Sequence, residues 1–295
     1  MSKKLPSGIT RTYLEQVPLP NHGGRYTPIS HKSIIDNSLS EILSRNLTIQ
    51  NELYSATYNG NVANGKIIMS DTTDNELQMM FMWGNSYDKS TRFKCGIGAY
   101  VKQTQCYMFA GNLSNYSRKH TGTADQEAMD MIQDQLSQAN AYYNVLCKTK
   151  DIMKTRTITL RQMAEILGVL YVEKGYINKE QMSMIGDHLR NEVKMFEDLS
   201  FDNLWNFYNI VAYAIKDGHP KNWFENQAGI CSFFNQEILN NTIITPIVSV
   251  SNPVIDENFN QLSLFDDLPA DLVKEKVNVA AFEQFDSSPF ELPDL

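Results

Sequence analysis

The stretch Leu53-Tyr-Ser-Ala-Thr-Tyr-Asn-Gly-Asn-Val-Ala-Asn-Gly-Lys-Ile-Ile-Met69 is where the chain changes from a helical to a β pattern. Residues 53–58 and 66–69 read as strands, and the Asn59-Gly60 and Asn64-Gly65 pairs between them suit the positive φ of hairpin turns. Further on, Leu77, Met79, Phe81 and Trp83 alternate with softer or polar residues and predict a third strand. Residues 92–102 and 104–110 supply a fourth and a fifth. Five strands in succession with short links predict an antiparallel meander.

Helices are expected on both sides of this sheet. Upstream, Ser30 can cap a helix over 31–45, whose Ile34, Ile35, Leu39, Ile42 and Leu43 share one face. Residues 1–28 contain Pro6, Pro18, Pro20, Pro28 and Gly23-Gly24, which predict an extended arm. Downstream, Thr123 with Gln126 and Thr159 with Gln162 have capping-box spacing. The first box opens a helix of roughly 30 residues with Ala128, Ile132, Leu136, Ala139, Tyr143 and Leu146 inward, and the second runs through Ile166 and Tyr171. Asn178 caps a further helix to about residue 197. Segments 201–216 and 220–239 complete the set, separated by Gly218. The fold class is α+β: N-terminal helix, antiparallel β-meander, C-terminal helical block. The body spans 29–240, and 241–295 follows as a tail.

Composition and charge narrow the function. Of 295 residues 42% are hydrophobic and 20% charged, ordinary usage for a globular protein. The longest purely apolar run, 210–215, is far below the ~20 residues needed to span a bilayer. No apolar stretch follows Lys3 and Lys4, so no signal peptide is read and a cytoplasmic location is expected. Residues 1–240 hold 24 basic and 24 acidic side chains, whereas 241–295 hold two lysines against ten acids. The net charge of −8 therefore belongs to the tail. With its five prolines, that tail reads as largely disordered and partner-seeking.

Motifs of catalysis are missing. There is no phosphate loop, nucleophile elbow, zincin helix or dinucleotide glycine fingerprint. The four cysteines are 11, 41 and 84 positions apart, and the five histidines fall in separate elements, so neither a metal nor a cofactor is expected. The cysteines read as reduced packing residues.

The expected fourth strand carries the clearest candidate surface. Phe93, Cys95, Ile97, Ala99 and Val101 would point to one face, while Arg92, Lys94, Gly96, Gly98, Tyr100 and Lys102 would point to the other. The second face is cationic and free of acids. Lys89, Arg118 and Lys119 add positive charge nearby. Such a surface suits single-stranded nucleic acid, with Lys and Arg on phosphates and Tyr against a base; the alternative is a solvated sheet face. A second basic run, Lys148, Lys150, Lys154, Arg156 and Arg161, can complement a helix C-terminus. Trp205, Phe207, Tyr208 and Tyr213 read as core.

Four segments carry a resemblance: Tyr26-Thr-Pro-Ile-Ser-His31, Gly84-Asn-Ser-Tyr-Asp-Lys-Ser90, Arg118-Lys-His-Thr121 and Leu204-Trp-Asn-Phe-Tyr-Asn209. Together, over about residues 25–235, the chain resembles a widespread family of phage- and plasmid-encoded proteins of unknown function. Its members usually have glycine where Lys89 stands. They often carry an arginine-led Cys-Asn-Gly segment where this chain has Phe93 to Gly98. The resemblance implies a mobile-element origin and no particular chemistry. The order of elements is also loosely similar to that of single-strand annealing proteins of recombination.

In the tail, Gln261-Leu-Ser-Leu-Phe265 resembles the pentapeptide by which bacterial polymerases and repair proteins hold the β sliding clamp. Leu262, Leu264 and Phe265 can enter an apolar pocket, Gln261 offers an amide for orientation, and Ser263 completes the matched pentapeptide. The alternative is coincidence or an intramolecular segment. The final stretch, 282–295, is similar to the recruiting tails of bacterial single-stranded-DNA-binding proteins. These readings converge on a phage or mobile-element protein of DNA metabolism in the host bacterial cytoplasm. It would have no catalytic centre, and single-stranded DNA and the clamp as partners, with room for homo-oligomers. A non-enzymatic virion or host-interaction protein that binds the clamp without DNA is the alternative.

Overall fold

The computed structural model describes residues 9–21, 27–70, 74–109, 123–190, 203–216 and 218–239, with backbone alone at 116–118 and 237–239. All of them lie in one unit, Met1–Pro246; the other, Ile247–Leu295, lies outside the described residues. Among the described residues no helix is long and apolar enough to cross a membrane.

The meander forms as expected. β1 (Ile49–Ala56), β2 (Val62–Met69), β3 (Leu77–Ser86), β4 (Phe93–Val101) and β5 (Tyr107–Phe109) are antiparallel neighbours in that order. A sixth short strand, β6 (Tyr116–Arg118), shares the outer edge of β4. It pairs with Phe93 to Cys95, and β5 pairs with Gly98 to Tyr100. Of the two expected turn dipeptides only Asn59-Gly60 turns the chain, with Gly60 at φ 72°. Asn64 and Gly65 lie inside β2, opposite Gly84 and Trp83 of β3. Gly65 is needed for another reason: a Cβ there would sit 2.2 Å from Trp83 Nε1, because the indole lies flat across β2.

Helices cover both faces of the sheet. α2 (His31–Ser44), α3 (Ala124–Ser137) and α4 (Ala139–Thr155) pack on the face that holds Phe81, Ile97 and Ala99. α7 (Leu204–Ile215) and α8 (Pro220–Phe233) pack on the other. There Tyr107 and Phe109 meet Trp223 at ring-centroid distances of 5.5 and 6.1 Å. Lys66 is buried beneath α8, its ammonium 4.5 Å from the Tyr107 ring centroid and 4.2 Å from that of Trp223. α5 (Leu160–Gly168) continues as a π-helical segment to Glu173, α6 (Lys179–Leu189) follows, and α8 also ends in a π-helical segment, Phe234–Leu239.

Three expectations change in detail. The N-terminal arm contains a short helix, α1 (Arg11–Gln16), in the proline-free window between Pro6 and Pro18. Thr10 caps it, and Leu14 is buried beside α2. The long helix after Thr123 breaks at Gln138 into α3 and α4, although every residue expected inward is buried. Thr123 bonds the Glu127 carboxylate at 2.6 Å instead of capping the backbone, whereas the boxes at Thr159–Gln162 and Asn178–Gln181 are complete.

Candidate nucleic-acid interface

Two of the segments that carry the family resemblance meet where α2 begins. The His31 amide donates to the Tyr87 hydroxyl at 2.8 Å, and the two rings stack at 4.0 Å, 10° from parallel. Asn85 Nδ2 donates to the Ile29 carbonyl at 2.7 Å and lies 3.0 Å from His31 Nδ1, while His31 Nε2 lies 3.0 Å from the Gly60 carbonyl. Two nitrogens with these partners require Nε2–H as donor and Nδ1 as acceptor, hence a neutral imidazole. The segment from α7 is also structural: Asn209 Oδ1 accepts from Thr104 Oγ1 at 2.9 Å and from Cys106 Sγ at 3.1 Å. These residues hold the fold together.

The hairpin loop between β3 and β4 follows directly from Tyr87. Ser86 Oγ donates to the Thr91 carbonyl at 2.8 Å and accepts from the Thr91 amide at 3.1 Å, and Asp88 accepts from the Ser90 amide at 2.9 Å. These bonds force Lys89 to φ 63°, in the left-handed region where glycine is at ease. Lys89 and Arg92 are exposed on this loop.

The sheet face expected to be open is covered. Lys94 points toward α8, as alternation required, but α8 lies on top of it, and Tyr100 on the same side packs beside Tyr107, which α8 covers with Trp223. The Lys94 side chain is 11% exposed and its ammonium is ion-paired with Glu225 of α8. Tyr100 is half-buried, its ring 6.2 Å from that of Tyr107, and burial raises its phenol pKa. The space over Gly98 is filled by Met82, whose Cε would lie 2.3 Å from an added Cβ. The apolar side of α8, with Trp223 and Phe224, overrides the charge of the strand: burying those rings on Tyr107 and Phe109 outweighs solvating one lysine.

The remaining candidates are separated. Lys102 donates to the Asp74 carbonyl at 3.0 Å, at the far end of β4 from Arg92. The two are ten residue steps apart along the strand, about 33 Å at ~3.3 Å per step. Arg118 pairs through its backbone with Phe93; its side chain, and Lys119, lie outside the described residues, as do Gln261, Leu262, Ser263, Leu264 and Phe265. In the second basic run, Lys150 is buried on Asp74 at 2.5 Å, Lys154 pairs with Glu76, and Arg161 with Glu165 at 3.1 Å. Asp74 also accepts from the amides of Glu76 and Leu77 at 2.8 and 2.9 Å. Burial opposes ionisation of Asp74, yet Lys150 and the two amides outweigh it and hold the carboxyl below its ordinary value. Trp205, Phe207 and Tyr208 are core, whereas Tyr213, expected with them, is only half-buried. Burial pushes the thiols of Cys106 and Cys231 up to about 12 and about 11, so they stay protonated at neutral pH.

What the fold does assemble is a polar cleft of 340 Å³ between the β3–β4 loop and the start of α8, lined by Ser90, Thr91, Arg92, Lys221, Asn222 and Glu225. α8 is anchored there by Asn64, which donates to the Pro220 carbonyl at 2.8 Å, and is capped by His219 Nδ1, which accepts from the Lys221 amide at 3.2 Å. Arg92 and Lys221 are exposed and form no ion pair among the described residues. Glu225, the only acid among the described lining residues, is occupied by Lys94. The sequence signalled Arg92 through its strand pattern. Lys221 carried no signal, because its place beside Arg92 depends on how α8 crosses the sheet.

No family model matches the chain, and no curated protein or solved structure matches it significantly.

Proposed function

We propose that the protein binds single-stranded DNA at the cleft between the β3–β4 loop and α8, as a non-catalytic protein of phage or mobile-element DNA metabolism in the bacterial cytoplasm. The observation that carries this reading is the couple Arg92 and Lys221, unpaired among the described residues, in a polar cleft where the one carboxylate among the described lining residues is already neutralised by Lys94. Phosphates replace counterions there, and Ser90, Thr91 and Asn222 add neutral hydrogen-bonding groups. Lys89, Arg118 and Lys119 extend the positive field along the chain. Lys94 acts indirectly, by silencing Glu225. The tail residues Gln261, Leu262, Ser263, Leu264 and Phe265 tether the protein to the β sliding clamp.

Fluorescence anisotropy with a labelled oligonucleotide at several salt concentrations tests the cleft. Wild type is expected to lose affinity steeply with salt, and Arg92→Ala/Lys221→Ala to lower the logarithmic slope by about 1.4, two single-strand phosphate contacts' worth. Equal, negligible binding by both proteins would end the proposal. The tether is tested by pull-down with purified clamp, which Leu264→Ala/Phe265→Ala should abolish.

One observation favours a second reading. α8 withdraws Lys94 from any strand lying along β4, and Tyr100 is half-buried beside Tyr107, which suits a virion or host-interaction protein that holds the clamp without DNA. It predicts clamp capture with no anisotropy change at any salt.

A further inference from the structure

The charge and the donors of the cleft at Arg92 bear on which kind of phosphate it takes. Arg92 and Lys221 line it together with Glu225, and Glu225 is ion-paired with Lys94. Three cations against one carboxylate leave a surplus of two positive charges among these described residues. Asp88, on the same loop, stands outside the lining, with its carboxylate on the Ser90 amide at 2.9 Å. An internal phosphodiester of a strand brings one negative charge. A phosphate monoester brings about 1.5–2 at neutral pH, with three terminal oxygens that accept hydrogen bonds.

The neutral groups agree with the charge. The hydroxyl of Ser90 is buried and has no hydrogen-bond partner among the described residues, a condition that buried hydroxyls rarely keep. Thr91 and Asn222 add a second hydroxyl and a carboxamide, neither side chain hydrogen-bonded to another described residue. With the five N–H groups of Arg92 and the three of Lys221, these donors outnumber what the two free oxygens of a diester can use. The loop that carries Ser90 and Thr91 is fixed in advance by the two bonds between Ser86 Oγ and the Thr91 backbone, so binding has little left to order. Along β4 a strand finds no cationic track leading away from the cleft, since Lys94 is covered and Lys102 is bonded to the Asp74 carbonyl at the far end. These features favour the end of a strand over its middle.

We propose that the cleft seats the phosphomonoester end of a single strand, with Arg92 and Lys221 on its charge and Ser90 donating to one of its oxygens. The phosphate belongs to a 5′ or a 3′ end, which share this chemistry. The proposal rests on the reading of the cleft as the DNA site and adds to it a preference for ends.

Anisotropy with the full chain tests it on one oligonucleotide sequence carrying an internal dye, prepared with a 5′-phosphate, with a 3′-phosphate, or with hydroxyls at both ends. At one salt concentration, a phosphorylated form should bind about tenfold or more tightly than the hydroxyl-ended form, the gain of an added charge and its charge-assisted hydrogen bonds. Preference for the 5′-phosphate or for the 3′-phosphate assigns the end, and either supports the seat. Arg92→Ala/Lys221→Ala, at two exposed positions, should erase the preference, and Ser90→Ala should cut it several-fold. Equal, salt-dependent affinity for all three forms would overturn the end preference and leave the DNA reading standing. A preference that survives the double variant would remove the seat from this cleft. Binding of none of the three would overturn both.

Discussion

The ammonium of Lys94 on β4 and the carboxylate of Glu225 on α8 form an ion pair that joins the sheet to the helix above it, with the lysine nearly buried and the glutamate mostly in solvent. The pair decides the electrostatics of the neighbouring cleft. Glu225→Gln removes the one negative charge among the described lining residues and frees the positive charge of Lys94. Affinity for single-stranded DNA should rise, and the salt slope should steepen by about 0.7 if Lys94 then reaches a phosphate. Anisotropy titration at two salt concentrations checks it.

The buried pair of Asp74 and Lys150 should govern stability at the extremes of pH. The Asp74 carboxyl is held below its ordinary 3.8, so its contribution is present above that value and is lost as pH falls through the lower folded value. Burial works against the charge of Lys150, but Asp74 outweighs it and keeps the ammonium above its ordinary 10.5. That share is present below 10.5 and is lost as pH rises through the higher folded value. Asp74→Ala, which leaves a buried ammonium unpaired, should cost about 3 kcal/mol at pH 7. Urea unfolding should show the difference from wild type shrinking below pH 4.

Gly65→Ala places a methyl group against the Trp83 indole. The indole must leave its position across β2, at a cost of about 1–3 kcal/mol. Near-ultraviolet circular dichroism and Tm should change together. The same substitution at Gly168, where nothing lies within 4 Å, should leave the tryptophan signal as it is.

Lys89→Gly relieves the strain of a side chain at positive φ and should stabilise the protein by roughly 0.5–1 kcal/mol, the left-handed penalty less the chain entropy of glycine. It also removes a charge beside the cleft. Stability should therefore rise while DNA affinity falls, a divergence that thermal melts and anisotropy on one preparation would reveal.

Cys95, Cys106 and Cys231 are buried, and burial raises the pKa of each thiol, whereas Cys147 is half-exposed at about 11. A thiol reagent at pH 7.5 should modify Cys147 slowly in the native protein and all four thiols in urea. Cys147→Ser should abolish the native reaction.

The order of elements was legible because it rests on local signals. Alternation from Leu77 to Trp83 and the caps at Ser30, Thr159 and Asn178 act within a few residues. The loss of Lys94 and Tyr100 from the surface was not, since a strand pattern fixes which side a residue faces and says nothing of what is laid on that side. Lys221 was invisible for the same reason. Asn64-Gly65 misled because a glycine that admits an indole and one that turns a chain look alike in sequence. The break at Gln138 carries no proline or glycine and interrupts no apolar period.

Because α8 is encoded so late, synthesis of the chain has a vulnerable interval. By the time Phe109 has left the ribosome, the strands that bear Lys66, Tyr107 and Phe109 exist, but the helix that shelters them is more than a hundred codons away. Any product stopped short of Pro220 presents that sticky aromatic slab to the cell, and premature termination there should yield inclusion bodies or proteolysis instead of a smaller working protein.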